Sequence, residues 1–186
     1  IKREELAFHD VFAYLTQSPA IIGPYGEFLA SQRMDNLSSV HSSVAAFVDV
    51  KPTEDIAVMA CFDHEEVGSA TRSGACGPFL EDILVRIAEG MGITGASYRA
   101  MIARSSCVSS DAGHGVHPNY VEKFDPANHP LLNEGSLLKI NANQRYATDG
   151  VGGALWQRAC TAAGVPTQDF VSNNSVPCGS TIGPLT

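Results

Sequence analysis

The apolar positions of this chain recur at two spacings, which predict two kinds of element. Apolar residues three and four positions apart predict helices over residues 4–15, 37–48, 79–88, 97–103 and 151–163, the last closed by Gly164. A continuous β-rich apolar run predicts a strand over residues 56–62, and shorter strands are predicted over residues 105–110, 137–141 and 170–172. Strands that alternate with helices indicate an α/β fold. We expect a three-layer α/β/α sandwich with a mostly parallel central sheet.

Polar loops separate these elements, and two of them follow predicted strands. Residues 63–77 are polar and glycine-rich, and residues 111–136 contain three prolines, Pro118, Pro126 and Pro130. A further loop is predicted over residues 19–26. In α/β folds ligands bind beyond the carboxyl ends of the strands, so the two loops that follow strands are the places to look for chemistry.

Composition and charge exclude several classes of protein. With 44% hydrophobic and 17% charged residues, the chain fits one soluble globular domain. The formal net charge of −8 argues against nucleic acid as a partner, because phosphate binding needs a basic face. The longest apolar run, residues 56–62, is too short to cross a membrane. The five cysteines form no C-x-x-C pair and fit small buried thiols in a reducing, cytoplasmic compartment.

Neighbouring carboxylates follow the first predicted strand. Glu65 and Glu66 lie in DHEEVGS, residues 63–69, directly after the apolar run. Adjacent side chains point to opposite faces of a strand, whereas in a loop both can share one site. One of them could then bind a metal ion while the other holds or releases a proton. A solvated acidic turn is the alternative for the pair alone.

Two further carboxylates lie at element ends. Asp35 stands at the start of the second predicted helix, and Asp111 follows the strand at 105–110. Each alone could be a helix cap or part of a turn. Together with the glutamate pair they favour two divalent ions a few ångströms apart, with one carboxylate bridging both.

Histidines add less to this picture. His114 and His117 are three residues apart in a glycine-flanked loop, and each could be a zinc ligand, a substrate contact or a purely structural residue. No pattern supports the other four, to which no chemistry is assigned; they are His9, His41, His64 and His129.

Five motifs, taken in order, resemble the aspartyl aminopeptidases of the M18 metallopeptidase family. They are RMDN (33–36), DHEEVGS (63–69), SSDAGH (109–114) with HPN (117–119), NQRY (143–146) and PCGSTIGP (177–184). The resemblance runs from about Glu5 to the last residue. It implies a zinc-exopeptidase-like sandwich, incomplete in this chain, and removal of N-terminal Asp or Glu from peptides by a water that two zinc ions activate. Mn²⁺ or Co²⁺ would suit similar oxygen-rich sites.

The resemblance also implies a role for each matching acidic residue. Asp35 would bridge the two metal ions, Glu66 would bind one of them and Asp111 the other. Glu65 would be the general base that takes a proton from the attacking water.

Three further residues match family positions that contact substrate: His114, Lys139 and Tyr146. Lys139 could pair with an acidic substrate side chain, and Tyr146 could donate to a developing oxyanion or to a substrate carboxylate. The alternatives are an ordinary strand-edge lysine and a partly buried structural tyrosine.

The family pattern includes parts that this chain lacks, namely two histidine ligands and an inserted domain used in oligomer assembly. We therefore expect residues 1–186 to be the C-terminal part of the catalytic domain of a homo-oligomer, with weak or no zinc binding by the isolated piece. The alternative function is a non-catalytic fragment or a peptide-binding or assembly module on the same fold. A one-metal or magnesium-type hydrolase is a third reading.

Overall fold

A computed structural model describes residues 2–51, 53–171 and 175 of the chain. In chain order the elements are β1 (Ala20–Ile22), β2 (Phe28–Ala30), α1 (Met34–Asp49), α2 (Phe79–Gly90), α3 (Gly95–Ala103), β3 (Ser136–Ile140), α4 (Gly150–Ala163) and β4 (Thr167–Val171). Short 3-10 turns lie at Arg3–Glu5, Glu65–Val67 and Val121–Lys123. The motif at 177–184 and the end of the last predicted strand, Ser172, lie outside the described residues.

The unit β3–α4–β4 carries the α/β character of the fold. β3 and β4 pair in parallel from Ser136 opposite Thr167 to Ile140 opposite Val171, and α4 makes the crossover that parallel neighbours require. The Asp149 side chain caps the start of α4 by accepting the Gly152 N–H, and Gly164 ends it. The predicted α/β class is confirmed, in the incomplete form expected for this chain.

Predicted helices at 37–48, 79–88, 97–103 and 151–163 are confirmed as α1 to α4, each within three residues at either end. The helix predicted over residues 4–15 is wrong, since only Arg3–Glu5 forms a short 3-10 turn there. An amphipathic helix of this length depends on a surface that covers its apolar face. Phe8, Val11 and Phe12 have no such cover, because they are 86%, 84% and 83% exposed.

Among the strands, those predicted at 137–141 and 170–172 are confirmed as β3 and β4. The strands predicted at 56–62 and 105–110 are wrong, because neither run finds a hydrogen-bonded neighbour among the described residues. Part of the predicted loop at 19–26 is instead the β1 side of an antiparallel hairpin. Its turn passes through Gly23 and Gly26, both with positive φ.

The long loop between Asp111 and β3 is held against β4. The Gln168 amide pairs with Leu131, accepting from its N–H at 2.9 Å and donating to its carbonyl at 3.1 Å. Pro130 is fully buried, and its carbonyl accepts from the Val116 N–H at 2.8 Å. The loop that carries Asp111 is therefore an ordered part of the fold.

Much apolar surface stays uncovered. The accessible surface of 14657 Å² far exceeds the roughly 8,600 Å² typical of a compact chain of 19.7 kDa. Besides Pro130, the buried apolar side chains of the described part are those of Ala75, Ala88 and Phe170. Within that part, no helix is both long and apolar enough to cross a membrane.

Candidate active site

Four carboxylates from three distant segments converge in the structure. Partial desolvation raises the pKa of Asp35 above its ordinary value, and the charge of Asp111 and a hydrogen bond shared with it raise that pKa further. The charges of Glu66 and Glu65 raise the pKa of Asp35 in the same direction. The four residues predicted to form the acidic site therefore share one electrostatic environment.

The start of α1 places Asp35 at this cluster. Asp35 and Asn36 depart from helical geometry, and the peptide bond between them is cis. The Asn36 side chain donates to the Ser110 carbonyl at 3.4 Å, which joins this segment to the residue just before Asp111. Arg33, which precedes the first residue of α1, makes no side-chain capping hydrogen bond, and the backbone of Asp35 is extended, with φ of −84° and ψ of 110°.

Glu65 and Glu66 lie on the 3-10 turn Glu65–Val67. The chain enters this turn at His64, with φ of 62°, and leaves it at Gly68, with φ of 101°. The turn interrupts the strand-like alternation of side chains, so both glutamates can face the same site.

Lys139 brings a positive charge to the cluster. It lies on β3, with its Nζ 3.7 Å from Asp111 Oδ2 and 5.8 Å from the centre of the Tyr146 ring. The ion pair is partly shielded, since the Lys139 side chain is 22% exposed. Lys139 therefore lies beside Asp111, a predicted metal ligand, and Tyr146 lies beside Lys139.

The two histidines of the 111–135 loop differ from these residues. His114 is exposed, and no hydrogen bond or ion pair in the described part of the chain joins it to the carboxylates. His117 accepts the Asn119 N–H at Nδ1, and its ring packs 5.0 Å from that of Tyr120. These local contacts suit the structural alternative for His117.

Sequence reasoning missed two features of the site. Asn36 links two ligand-bearing segments, and its place beside Asp35 in RMDN was the available signal. His64, to which no chemistry was assigned, hydrogen-bonds Thr71 at 2.8 Å between Nδ1 and Oγ1. A threonine seven residues away in an irregular loop gives no pattern from which that contact could be predicted.

The donor chemistry of the cluster fits a divalent metal. The charges of Asp111, Glu66 and Glu65 raise the pKa of Asp35, a bound cation would relieve that repulsion, and zinc accepts such oxygen donors. Among the described residues, however, no three His, Cys, Asp or Glu side chains form a ready coordination group. The carboxylates therefore fit a divalent metal by lying near one another and by offering oxygen donors.

Comparison with known proteins also points to a metal-dependent peptidase family. The sequence profile of the family described as "Aminopeptidase I zinc metalloprotease (M18)" matches residues 1–186. A Streptomyces coelicolor protein named "Probable M18 family aminopeptidase 2" is 46% identical over 190 residues, covering 100% of this chain and 44% of that protein.

Solved structures agree in fold. A cryo-EM structure of the Ape4 and Nbr1 complex superposes with a TM-score of 0.78 at 36% identity, over 90% of this chain and 33% of that one. The mApe1 dodecamer of S. cerevisiae gives 0.71 at 28% identity, over 90% and 38%. The chain spans less than half the length of the curated relatives it matches. Across all of its residues, the chain belongs to the M18 family of zinc metalloproteases.

Proposed function

We propose that the protein is a zinc-dependent aminopeptidase that removes N-terminal Asp or Glu from peptides. The observation that carries this proposal is the convergence of Asp35, Glu65, Glu66 and Asp111, with Lys139 beside them. A binding or assembly module has little need of four crowded carboxylates, since their repulsion destabilises a site that holds no cation. Membership in a metalloprotease family favours the enzyme over that alternative.

In this proposal Asp35, Glu66 and Asp111 would be the carboxylates that hold two zinc ions, and Mn²⁺ or Co²⁺ would suit the same oxygens. Bound zinc would polarise the scissile carbonyl and lower the pKa of the attacking water. Glu65 lies on the same turn as Glu66 and would take the proton from that water and pass it to the leaving amine.

The substrate contacts follow from the surroundings of Asp111. Lys139 would pair with the acidic side chain of the first substrate residue, because its ammonium group is held at the edge of the cluster. Tyr146, next to Lys139, would donate to the developing oxyanion or to a substrate carboxylate. A substrate contact by His114 is supported by its motif alone.

The remaining parts of the enzyme are proposed to come from outside these 186 residues. The chain would be the C-terminal part of the catalytic domain, with histidine ligands and an assembly domain supplied by the rest of the protein. A homo-oligomer is supported by one structural neighbour, the mApe1 dodecamer of S. cerevisiae. A cytoplasmic site of action is supported by the cysteines within the described residues, all of which are free: Cys61, Cys76, Cys107 and Cys160.

The test of this function uses the full-length protein and matched peptides that start with Asp, Glu, Asn or Ala. We expect release of Asp and Glu, loss of release after chelation, and recovery when zinc is added back, measured by quantifying free amino acids. A protein that cleaves none of these peptides, or that ignores the chelator, would refute the proposal. Preference for Ala would refute only the acidic specificity.

Replacing Lys139 with Ala should reduce kcat/KM more for Asp-starting than for Ala-starting peptides, because only the former lose a charge partner. Lys51→Ala is the matched control, since this exposed lysine follows the far end of α1, about 20 Å of helix from Asn36. Equal losses on both peptides would reject the specificity role of Lys139.

A further inference from the structure

We propose that Thr71 is a positioning residue for Glu65 and Glu66, acting through His64. The inference rests on the proposed function, because it assumes that Glu65 accepts a proton. Its basis is the 2.8 Å hydrogen bond between His64 Nδ1 and Thr71 Oγ1. His64 immediately precedes the turn that carries both glutamates, so a contact that fixes His64 also fixes where that turn begins.

The backbone of His64 needs such support. Its φ of 62° lies in the left-handed region, which is uncommon for a residue with a Cβ and is favoured when neighbouring groups stabilise it. Its carbonyl accepts from the N–H groups of Val67 and Ser69, at 3.3 and 2.9 Å. Glu65 and Glu66 therefore lie in a loop that is hydrogen-bonded to His64 at two points, through the His64 backbone carbonyl and through its ring.

Thr71 is a firm anchor because the returning segment is closely packed. The Ser73 carbonyl accepts the Asp63 N–H at 3.2 Å, and the Ser69 carbonyl accepts the Cys76 N–H at 3.1 Å. Ser69 is 4% exposed, and Gly74 leaves no room for a Cβ beside the Ser69 carbonyl. These contacts tie the segment that carries Thr71 to the rest of the loop, so Thr71 can hold the His64 ring in place.

The contacts of the His64 ring suit a structural support for the glutamate turn, which we call the brace, better than a second acid or base in the reaction. One ring nitrogen of His64 is engaged by Thr71, and the other lies 3.8 Å from Asp63 Oδ2. Both nitrogens thus face groups of the loop itself. The Ser73 hydroxyl, 3.5 Å from Nδ1, is at the outer limit of a hydrogen bond and offers a natural control.

The experiment compares Thr71→Val, which keeps the shape and removes the hydroxyl, with Thr71→Ser, which keeps the hydroxyl, in the zinc-loaded full-length protein. For Thr71→Val we expect kcat on an Asp-starting peptide to fall about 10- to 100-fold with KM and zinc content unchanged. Thr71→Ser and Ser73→Ala should stay near wild type. Hydrogen exchange should quicken at the Val67 and Ser69 amides in Thr71→Val alone.

Unchanged kcat in Thr71→Val, or a matching loss in Thr71→Ser, would overturn the positioning role. Unchanged exchange in Thr71→Val would overturn the brace by itself, whatever the protein's activity. A wild-type protein without peptidase activity would instead refute the proposed function, while the exchange comparison would still report on the brace.

Discussion

In the full-length protein, Glu65→Gln should lower kcat by about 10²–10⁴-fold while folding and zinc content persist. The amide has nearly the shape of the carboxylate but cannot accept the proton of the attacking water. Since Glu66 next to it is left intact, the predicted metal-binding carboxylates are unchanged. Steady-state kinetics, metal analysis and circular dichroism on the same preparation measure the three quantities.

Glu89→Gln provides the matched control for this charge change. Glu89 is exposed in the last turn of α2, and its replacement should leave kcat and zinc content at wild-type values. Activity retained in Glu65→Gln would remove Glu65 from the reaction. Loss of zinc together with activity would make Glu65 a ligand rather than the general base.

Asp35→Asn should have opposite effects on the metal-free and the zinc-loaded protein. Without metal, we expect a higher free energy of unfolding at neutral pH, because the charge of Asp35 repels those of Asp111, Glu66 and Glu65. With zinc, the wild type should gain about 2.7 kcal/mol at a hundred times the dissociation constant. The variant should lose most of that gain and its activity, because the proposed bridging charge is gone.

Denaturant unfolding in chelator and in excess zinc measures both effects. Asp49→Asn, at the other end of α1, removes one charge away from the cluster and should show neither of them. A full zinc-dependent gain in Asp35→Asn would exclude Asp35 as a ligand. A lower metal-free stability would show that its contacts outweigh the repulsion.

The elements that the sequence predicts well are those whose signals are local. α2 and α4 have helical spacing of apolar residues, and α4 also has the Asp149 cap and the Gly164 stop within its own segment. The runs at 56–62 and 105–110 depend on neighbours that local patterns do not specify. Residues 4–15 have helical spacing without a covering surface, and the spacing alone was misleading.

The acidic site likewise has parts that local sequence signals predict and parts that they do not. Glu65, Glu66 and Asp111 could be found because each follows a segment predicted as a strand, where loops of α/β folds collect ligands. The pairing of Lys139 with Asp111 joins residues 28 apart, and no spacing rule connects them. Such contacts are properties of the folded chain, since they arise only when β3 lies beside the 111–135 loop.

The exposed aromatic and aliphatic side chains of residues 6–15 have a practical consequence for anyone producing this polypeptide. A stretch without regular secondary structure that exposes Phe8, Phe12 and Leu15 to water promotes chaperone binding and self-association. Its solubility will depend on whatever surface buries those rings. Quality control in a cell can therefore recognise this chain by exposed aromatic and aliphatic side chains close to its first residues.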